Sequence, residues 1–321
     1  MSETQLGEIP ALGKLYVGAV GAAARARLSS APASRTLPAD RHTVRGARVD
    51  LERLADFQRL VLHSASDYLP SGFVHTFAFP VAMSLMARED FPLPLLGMVH
   101  LRNHVEHFRP IHYTEPLTVT AWAENLAGHR AGTSVELIAE VRAGTGEGMG
   151  ENTGEGTGDG TGENTGENTA VVWRGRSTYL AKGVFLPRLD RPGARAPRPD
   201  FVPPQPTAQW RLGADAGRNY ARVSGDFNPI HLSRLSAKAL GMKRSLAHGM
   251  YLASRVVADI VQNRQEPYEW TIEFDSPVFL PATVALSISD AEGEDGYAGS
   301  TFVGWNQRSL RRNFAGSVRP L

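Results

Sequence analysis

The 321-residue chain contains no cysteine. That excludes disulfides, thiolate nucleophiles and thiolate metal ligands together, and it fits a reducing cytoplasm. No apolar run approaches the roughly 20 consecutive residues that a membrane-spanning helix needs, so no span is expected. The start, Met1-Ser2-Glu3-Thr4, lacks a basic region, and the stretch from Val17 to Ala24 is short and rich in small residues. No export signal is therefore expected, and the anticipated location is cytoplasmic. An excess of one charge is also missing: the formal net charge of +1 argues against a dedicated nucleic-acid partner.

What is present points to two units. Hydrophobic residues make up 42% of the chain, enough for a substantial core, and the length allows one large domain or two of ordinary size. In the first half, Leu51 to Leu62 has helical spacing, and Pro80 to Ala87 reads as a second helix with Pro80 in its first turn. Runs rich in Val, Trp, Thr and Tyr follow at Gly97 to Phe108, Leu117 to Asn125, Ser134 to Val141 and Ala170 to Leu180, separated by turn residues. Beyond them, Ala208 to Leu212, Tyr268 to Phe274, Thr283 to Ser289 and Tyr297 to Trp305 read as a second set of strands, with Ala214 to Arg222 as a short helix and Phe279 to Ala282 as a turn. The halves look like one duplicated helix-and-strand unit. Expected boundaries are an N-terminal extension at 1–40, a first unit at 41–185, a proline- and arginine-rich linker at 186–206 and a second unit at 207–321.

Residues 144–169 are almost wholly Gly, Thr, Glu and Asn. With so little to bury, the tract reads as a disordered insertion between two strands. It has neither a calcium-loop pattern nor a GxGxxG or Walker motif, so neither calcium nor a nucleotide phosphate is expected there. Its six carboxylates carry no compensating Lys or Arg; removing them from a net +1 leaves +7 on the rest of the chain. That surplus, with Arg308, Arg311, Arg312 and Arg319 read as a basic tail, suits either an ordinary solvated surface or attraction of a phosphorylated carrier. Four histidines, His100, His104, His107 and His112, match no metal-ligand spacing. On a regular strand His100 and His104 share a face and His107 points away. No metal is expected.

The stretch with the most chemistry runs from Tyr220 to Ile260. At its centre stand Ser224-Gly225-Asp226-Phe227-Asn228-Pro229-Ile230-His231, and then Ala247-His248-Gly249-Met250. Pro229 biases Asn228 toward extended geometry, and Asp226 and Asn228 can bond nearby backbone, so the turn is stiff. After Gly249, the residues Leu252, Ala253, Val256, Val257, Ile260 and Val261 recur at the spacing of a buried helix face, with Ser254, Arg255, Asp259 and Gln262 opposite. Gly249 thus opens a helix, where a free amide and the dipole favour an oxygen gaining negative charge. Taken singly, an Asp or Asn before proline is commonly an ordinary turn and one histidine is commonly structural. Together they supply acid/base groups beside a carbonyl site.

This string, from Tyr220 through Asp226, Asn228 and His231 to Gly241 and His248-Gly249-Met250, resembles the hydratase motif of MaoC-like enoyl-thioester hydratases and dehydratases. The resemblance implies an α+β double hotdog, in which each antiparallel sheet wraps around a long helix. It implies Asp226 and His231 as catalytic groups, Gly249 as the oxyanion amide, and Asn228, Ser224 and His248 as supporting positions. The implied substrates are (R)-3-hydroxyacyl and trans-2-enoyl thioesters of coenzyme A or acyl carrier protein in fatty-acid metabolism, with no metal or redox cofactor and a monomer or homodimer as the assembly. A hotdog thioesterase and a non-catalytic acyl-binding subunit are the alternatives. The chain departs from the pattern at Lys243-Arg244-Ser245, where many members place a proline; no inherited catalytic position is touched. The first half lacks the Asp-x-Asn-Pro-x-His string, and Thr76 follows His75 where glycine follows His248. By the resemblance, that half makes room for the acyl chain.

Overall fold

The computed structural model describes residues 2–28, 34–144, 170–193, 200–261, 266–293 and 296–321. The glycine-rich tract, apart from Gly144, therefore lies outside the described residues.

Eleven strands form one continuous sheet. In chain order they are β1 (Glu3–Leu6), β2 (Arg41–Ala47), β3 (Met98–His107), β4 (Leu117–His129), β5 (Gly132–Ala143), β6 (Val171–Lys182), β7 (Ala208–Leu212), β8 (Tyr268–Phe274), β9 (Ala282–Gly293), β10 (Gly296–Asn306) and β11 (Arg312–Pro320). The helices are α1 (Leu12–Leu28), α2 (Leu51–Val61), α3 (Ser71–Met86), α4 (Ala216–Ser224), α5 (Pro229–Leu232), α6 (Arg234–Ala239) and α7 (Gly249–Val261).

Strand order shows the duplication. One half reads β2-β4-β5-β6-β3 and the other, from its own edge, β7-β9-β10-β11-β8. Within each unit the path is the same: an edge strand, a central helix, the innermost strand, then three strands filling the space between. The innermost strands β3 and β8 pair antiparallel, Asn103 opposite Ile272 and Val105 opposite Trp270, which fuses the two hotdogs into one sheet. β1 is an addition, parallel to β2 at the outer edge. The fold is a double hotdog.

The central helices α3 and α7 pack on the sheet and touch each other. Their closest point is fixed by a missing side chain: a Cβ on Gly72 would collide with the Ser254 hydroxyl. Ser254, expected on a polar face, is instead buried there and donates to the Met250 carbonyl at 2.6 Å. Both halves also converge on Ser71, whose hydroxyl accepts the indole N–H of Trp173 from β6 and of Trp270 from β8, each at 2.9 Å.

Three expectations are corrected. The helix expected at Pro80 begins at Ser71, and Pro80 lies inside it. Proline cannot donate to the Thr76 carbonyl, yet the helix runs through because nearly all of its residues are buried and packing outweighs one lost bond. Of the residues read as a basic tail, Arg312 and Arg319 lie in β11, an interior strand bonded on both sides, while Arg308 and Arg311 lie in the turn that precedes it. The strand has few apolar residues, and its Gly316 is required because a Cβ would strike the Thr271 carbonyl. Finally, a register shift between His100 and Arg102 turns His100 inward, to stack on Tyr179 at 4.5 Å. His107 also points inward, against Tyr268, whereas His104 faces outward to Glu269. His100 and His104 therefore do not share a face.

Among the described residues, no helix is long and apolar enough to cross a membrane.

Candidate active site

The Tyr220 to Ile260 stretch runs from inside α4 through the loop, α5 and α6 into α7, and local bonds set most of the shape of its loop. α4 stops at Gly225, whose φ of 77° is the left-handed conformation that suits glycine, and the Gly225 N–H donates to the Ala221 carbonyl. Asp226 follows. Its N–H donates to the Ser224 hydroxyl at 3.2 Å, and its Oδ1 accepts the Asn228 N–H at 3.2 Å. Asn228 caps α5 by accepting the Ile230 N–H, with Pro229 in the first helical position. That turn carries His231.

A second segment comes back to meet the first. Residues 245–247 bond to 278–280, with Ala247 N–H donating to Val278 and Leu280 N–H to Ser245. His248 is thereby placed beside His231, their rings stacked 3.7 Å apart at 26°. Gly217 on α4 makes room for this arrangement, since a Cβ there would collide with the His231 carbonyl.

The hydrogen bonds settle which nitrogens carry protons. His231 Nδ1 lies 2.9 Å from the Leu246 carbonyl and His248 Nε2 lies 3.0 Å from the Asp226 carbonyl. A carbonyl only accepts, so each of these nitrogens donates. That leaves a lone pair on His231 Nε2 and one on His248 Nδ1, the latter buried without a hydrogen-bond partner. Burial pushes the His231 pKa down, against the opposing pull of the Asp226 carboxylate and the Leu246 carbonyl. His248 is pushed well below the ordinary histidine range by burial and by the neighbouring His231. Both rings are neutral near pH 7, and His231 can therefore accept a proton.

The remaining elements of the motif sit where they can contribute. Gly249 is the first residue of α7, and Tyr251 is the first residue beyond it seen to bond back, to the His248 carbonyl. A Cβ on Gly249 would come within 2.9 Å of the Phe274 ring, so the position needs glycine for space as well as for approach of a ligand. The structure thus gathers Asp226, His231, His248 and Gly249, with Asn228 and Ser224 shaping the Asp226 turn.

Asp226, His231 and His248 each offer a ligand atom within 4.8 Å of the others. The two rings are stacked 3.7 Å apart at 26°, unlike the tetrahedral spread of ligands around a structural zinc.

Sequence reasoning missed three contributors. Tyr16 on α1 donates its hydroxyl to Asp226 Oδ1 at 2.8 Å, across 210 positions; no local pattern signals such a contact. Arg53 on α2 bridges the halves, donating to the Val223 carbonyl at 2.7 Å and the Thr76 hydroxyl at 2.8 Å. A relay of rings then leads away from Gly249: Phe274 packs on His100 at 5.1 Å, and His100 on Tyr179. Tyr179 borders a narrow cavity between α3 and strands β5 and β6, lined also by His75, Ala82, Ala139, Trp173 and Ser177.

His75 does not occupy the position that His248 has. It is the fifth residue of α3, inside the helix, buried against Phe79 and Trp173. Burial pushes its pKa down to about 4, against the opposing pull of Asp226. The residues before α3 are Leu69 and Pro70.

Comparison with known proteins agrees with this architecture. Residues 195–304 match the family model described as MaoC like domain. The 3-hydroxyacyl-thioester dehydratase X of Mycobacterium tuberculosis is 30% identical over 273 residues, covering 84% of this chain and 88% of that protein. The crystal structure of HtdX from Mycobacterium tuberculosis superposes with a TM-score of 0.67 at 27% identity, over 88% of this chain and all of the other. A MaoC-like dehydratase from Phytophthora capsici shares the fold, with a TM-score of 0.58 at 16% identity over 88% of this chain and 95% of its own.

Proposed function

The chain belongs to the MaoC-like dehydratase family, and from that premise we propose that it is a hydro-lyase interconverting (R)-3-hydroxyacyl and trans-2-enoyl thioesters in fatty-acid metabolism. The observation that carries the reading is the juxtaposition of Asp226, a neutral His231 with a lone pair on Nε2, and the amide end of α7 at Gly249.

Dehydration removes a proton from C2 and the hydroxyl from C3, leaving a double bond and water. Asp226 and His231 serve as the acid/base pair: between them they take the C2 proton and protonate the departing hydroxyl. The thioester oxygen, which gains charge as C2 loses its proton, is held by the Gly249 N–H at the positive end of α7. Proton-transfer groups of this kind contribute about 10^2 to 10^4 in rate, and one oxyanion donor about 10^2 to 10^3, so these three residues carry much of the acceleration. Asn228 and Ser224 act on the turn that aims Asp226. His248 acts by stacking on His231 and bonding the Asp226 carbonyl.

In this reading the acyl chain extends past Phe274, His100 and Tyr179 toward the cleft beneath α3, which holds only about 10 Å³ in this structure and has to widen to admit it; that gives the first half its role. The carrier is coenzyme A or acyl carrier protein. One chain supplies both hotdogs, so a monomer contains a complete pair and a homodimer adds no missing unit.

The test is the absorbance of the conjugated enoyl thioester. Purified protein is mixed with short, medium and long trans-2-enoyl coenzyme A, and with an acyl carrier protein thioester, followed by chiral analysis of the product. Loss of the band with an (R)-3-hydroxy product is expected. Release of free thiol without hydration would identify a thioesterase, and no change with any substrate would leave only a binding role.

A further inference from the structure

We infer that Tyr16 is a positioning residue of this site, its hydroxyl holding one oxygen of the Asp226 carboxylate so that the other is left toward the His231 and His248 pair. The inference rests on the reading of Asp226 as an acid/base group.

The two carboxylate oxygens have different surroundings. Oδ1 accepts two hydrogen bonds, from the Tyr16 hydroxyl at 2.8 Å and the Asn228 N–H at 3.2 Å. Oδ2 lies 3.7 Å from His248 Nε2. The outer torsion of an aspartate is soft and broad, so the Asn228 amide alone leaves the group free to rock. A second donor, on another element, fixes the plane.

Tyr16 is itself held. It lies one helical turn from Leu12 on α1, and both are buried. α1 rests on α3, and the segment before it is tied to the sheet edge by β1 pairing with β2. The expected N-terminal extension thus reaches across the first hotdog to touch the second. Phenylalanine would fill the same space without a buried hydroxyl to satisfy, and the hydroxyl that is present bonds the one carboxylate of the site. Burial and the Asp226 charge raise its pKa, so it stays protonated and donates.

The experiment uses the full-length chain carrying Tyr16→Phe, with kcat, KM and the pH dependence of kcat/KM measured by enoyl-thioester absorbance. A hydrogen bond to a charged group is at stake, so kcat falls by about one to two orders of magnitude while KM hardly moves. The pH limb of kcat/KM that the site governs moves, because the hydroxyl no longer holds the carboxylate that takes part in proton transfer. Leu12→Ala provides the control: it loosens the same helix, keeps the hydroxyl and leaves the limb in place. Unchanged kcat and pH limb in Tyr16→Phe, or the same pH profile in both variants, would overturn the inference. A faster Tyr16→Phe enzyme would also overturn it, showing that the tyrosine blocks the site. Asp226→Asn separates the two levels of the argument. If it is fully active, the underlying reading fails; if it is inactive while Tyr16→Phe is normal, only the inference fails.

Discussion

His248 and Gly249 stand at the start of α7, whereas Pro70 and Ser71 stand at the start of α3. The two helices occupy matching places in matching units, each between an edge strand and an innermost strand. At α7 the glycine leaves no Cβ against Phe274, and the preceding histidine bonds the Asp226 carbonyl and stacks on His231. At α3 the serine hydroxyl is consumed by two tryptophan N–H groups, one from each half, and the helix interior is histidine and apolar side chains around a narrow cavity. The same position in a duplicated fold is thus a glycine assigned to the oxyanion in one copy and a serine that knots two tryptophans in the other.

The largest effect that could sharpen this contrast comes from Gly249→Ala. Its Cβ would press on the Phe274 ring and shift the amide assigned to the thioester oxygen, lowering kcat by about 10^2; steady-state kinetics at saturating substrate read it out. The matching change in the other half, Ser71→Ala, should leave kcat within a few-fold. It strands the indole N–H groups of Trp173 and Trp270 in the interior, at a cost of about 1–3 kcal/mol each, which a chemical denaturation curve would show. Comparable kinetic losses in both would break the division of labour.

A smaller effect tests the cavity. Ala82→Leu adds bulk between α3 and the sheet, so kcat/KM for long enoyl thioesters should fall about tenfold while the shortest substrate is handled normally. Equal losses at every chain length would move the acyl chain elsewhere.

The smallest concerns pH. His75 and His107 are held by burial at about 4 and His100 at about 3, against an ordinary 6.5. The unfolded chain therefore binds their protons first, and the stability these neutral rings contribute is complete above about pH 6.5 and declines as pH falls toward 4. Denaturation midpoints across that window should drop, and His107→Phe should flatten the slope. An unchanged slope would mean that His107 is not held neutral by its burial against Tyr268.

Legibility in the sequence followed distance along the chain. The site loop was readable because Asp226, Asn228, His231, His248 and Gly249 fall within 24 residues and are joined by turn and cap bonds whose chemistry is local. Strands β7 and β8 were readable for a similar reason, since Trp and Leu in β7 and Tyr, Trp and Ile in β8 alternate with polar residues. What escaped depended on tertiary contact. Tyr16 reaches Asp226 across 210 positions, and the bulge at His100 is set by pairing with β6. Pro80 survives in a helix because its surroundings outweigh the rule it breaks. The four arginines near the end obscured β11, whose apolar content is slight but which is bonded on both sides.

The central claim is that the second hotdog alone carries the chemistry, and the most direct measurement compares His231→Ala with His75→Ala on one medium-chain enoyl thioester. The first should lose at least about 10^2 in kcat with an unchanged melting temperature, and the second should keep kcat within a few-fold of the original. Near-normal turnover in His231→Ala, or an equal collapse in His75→Ala, would contradict the account.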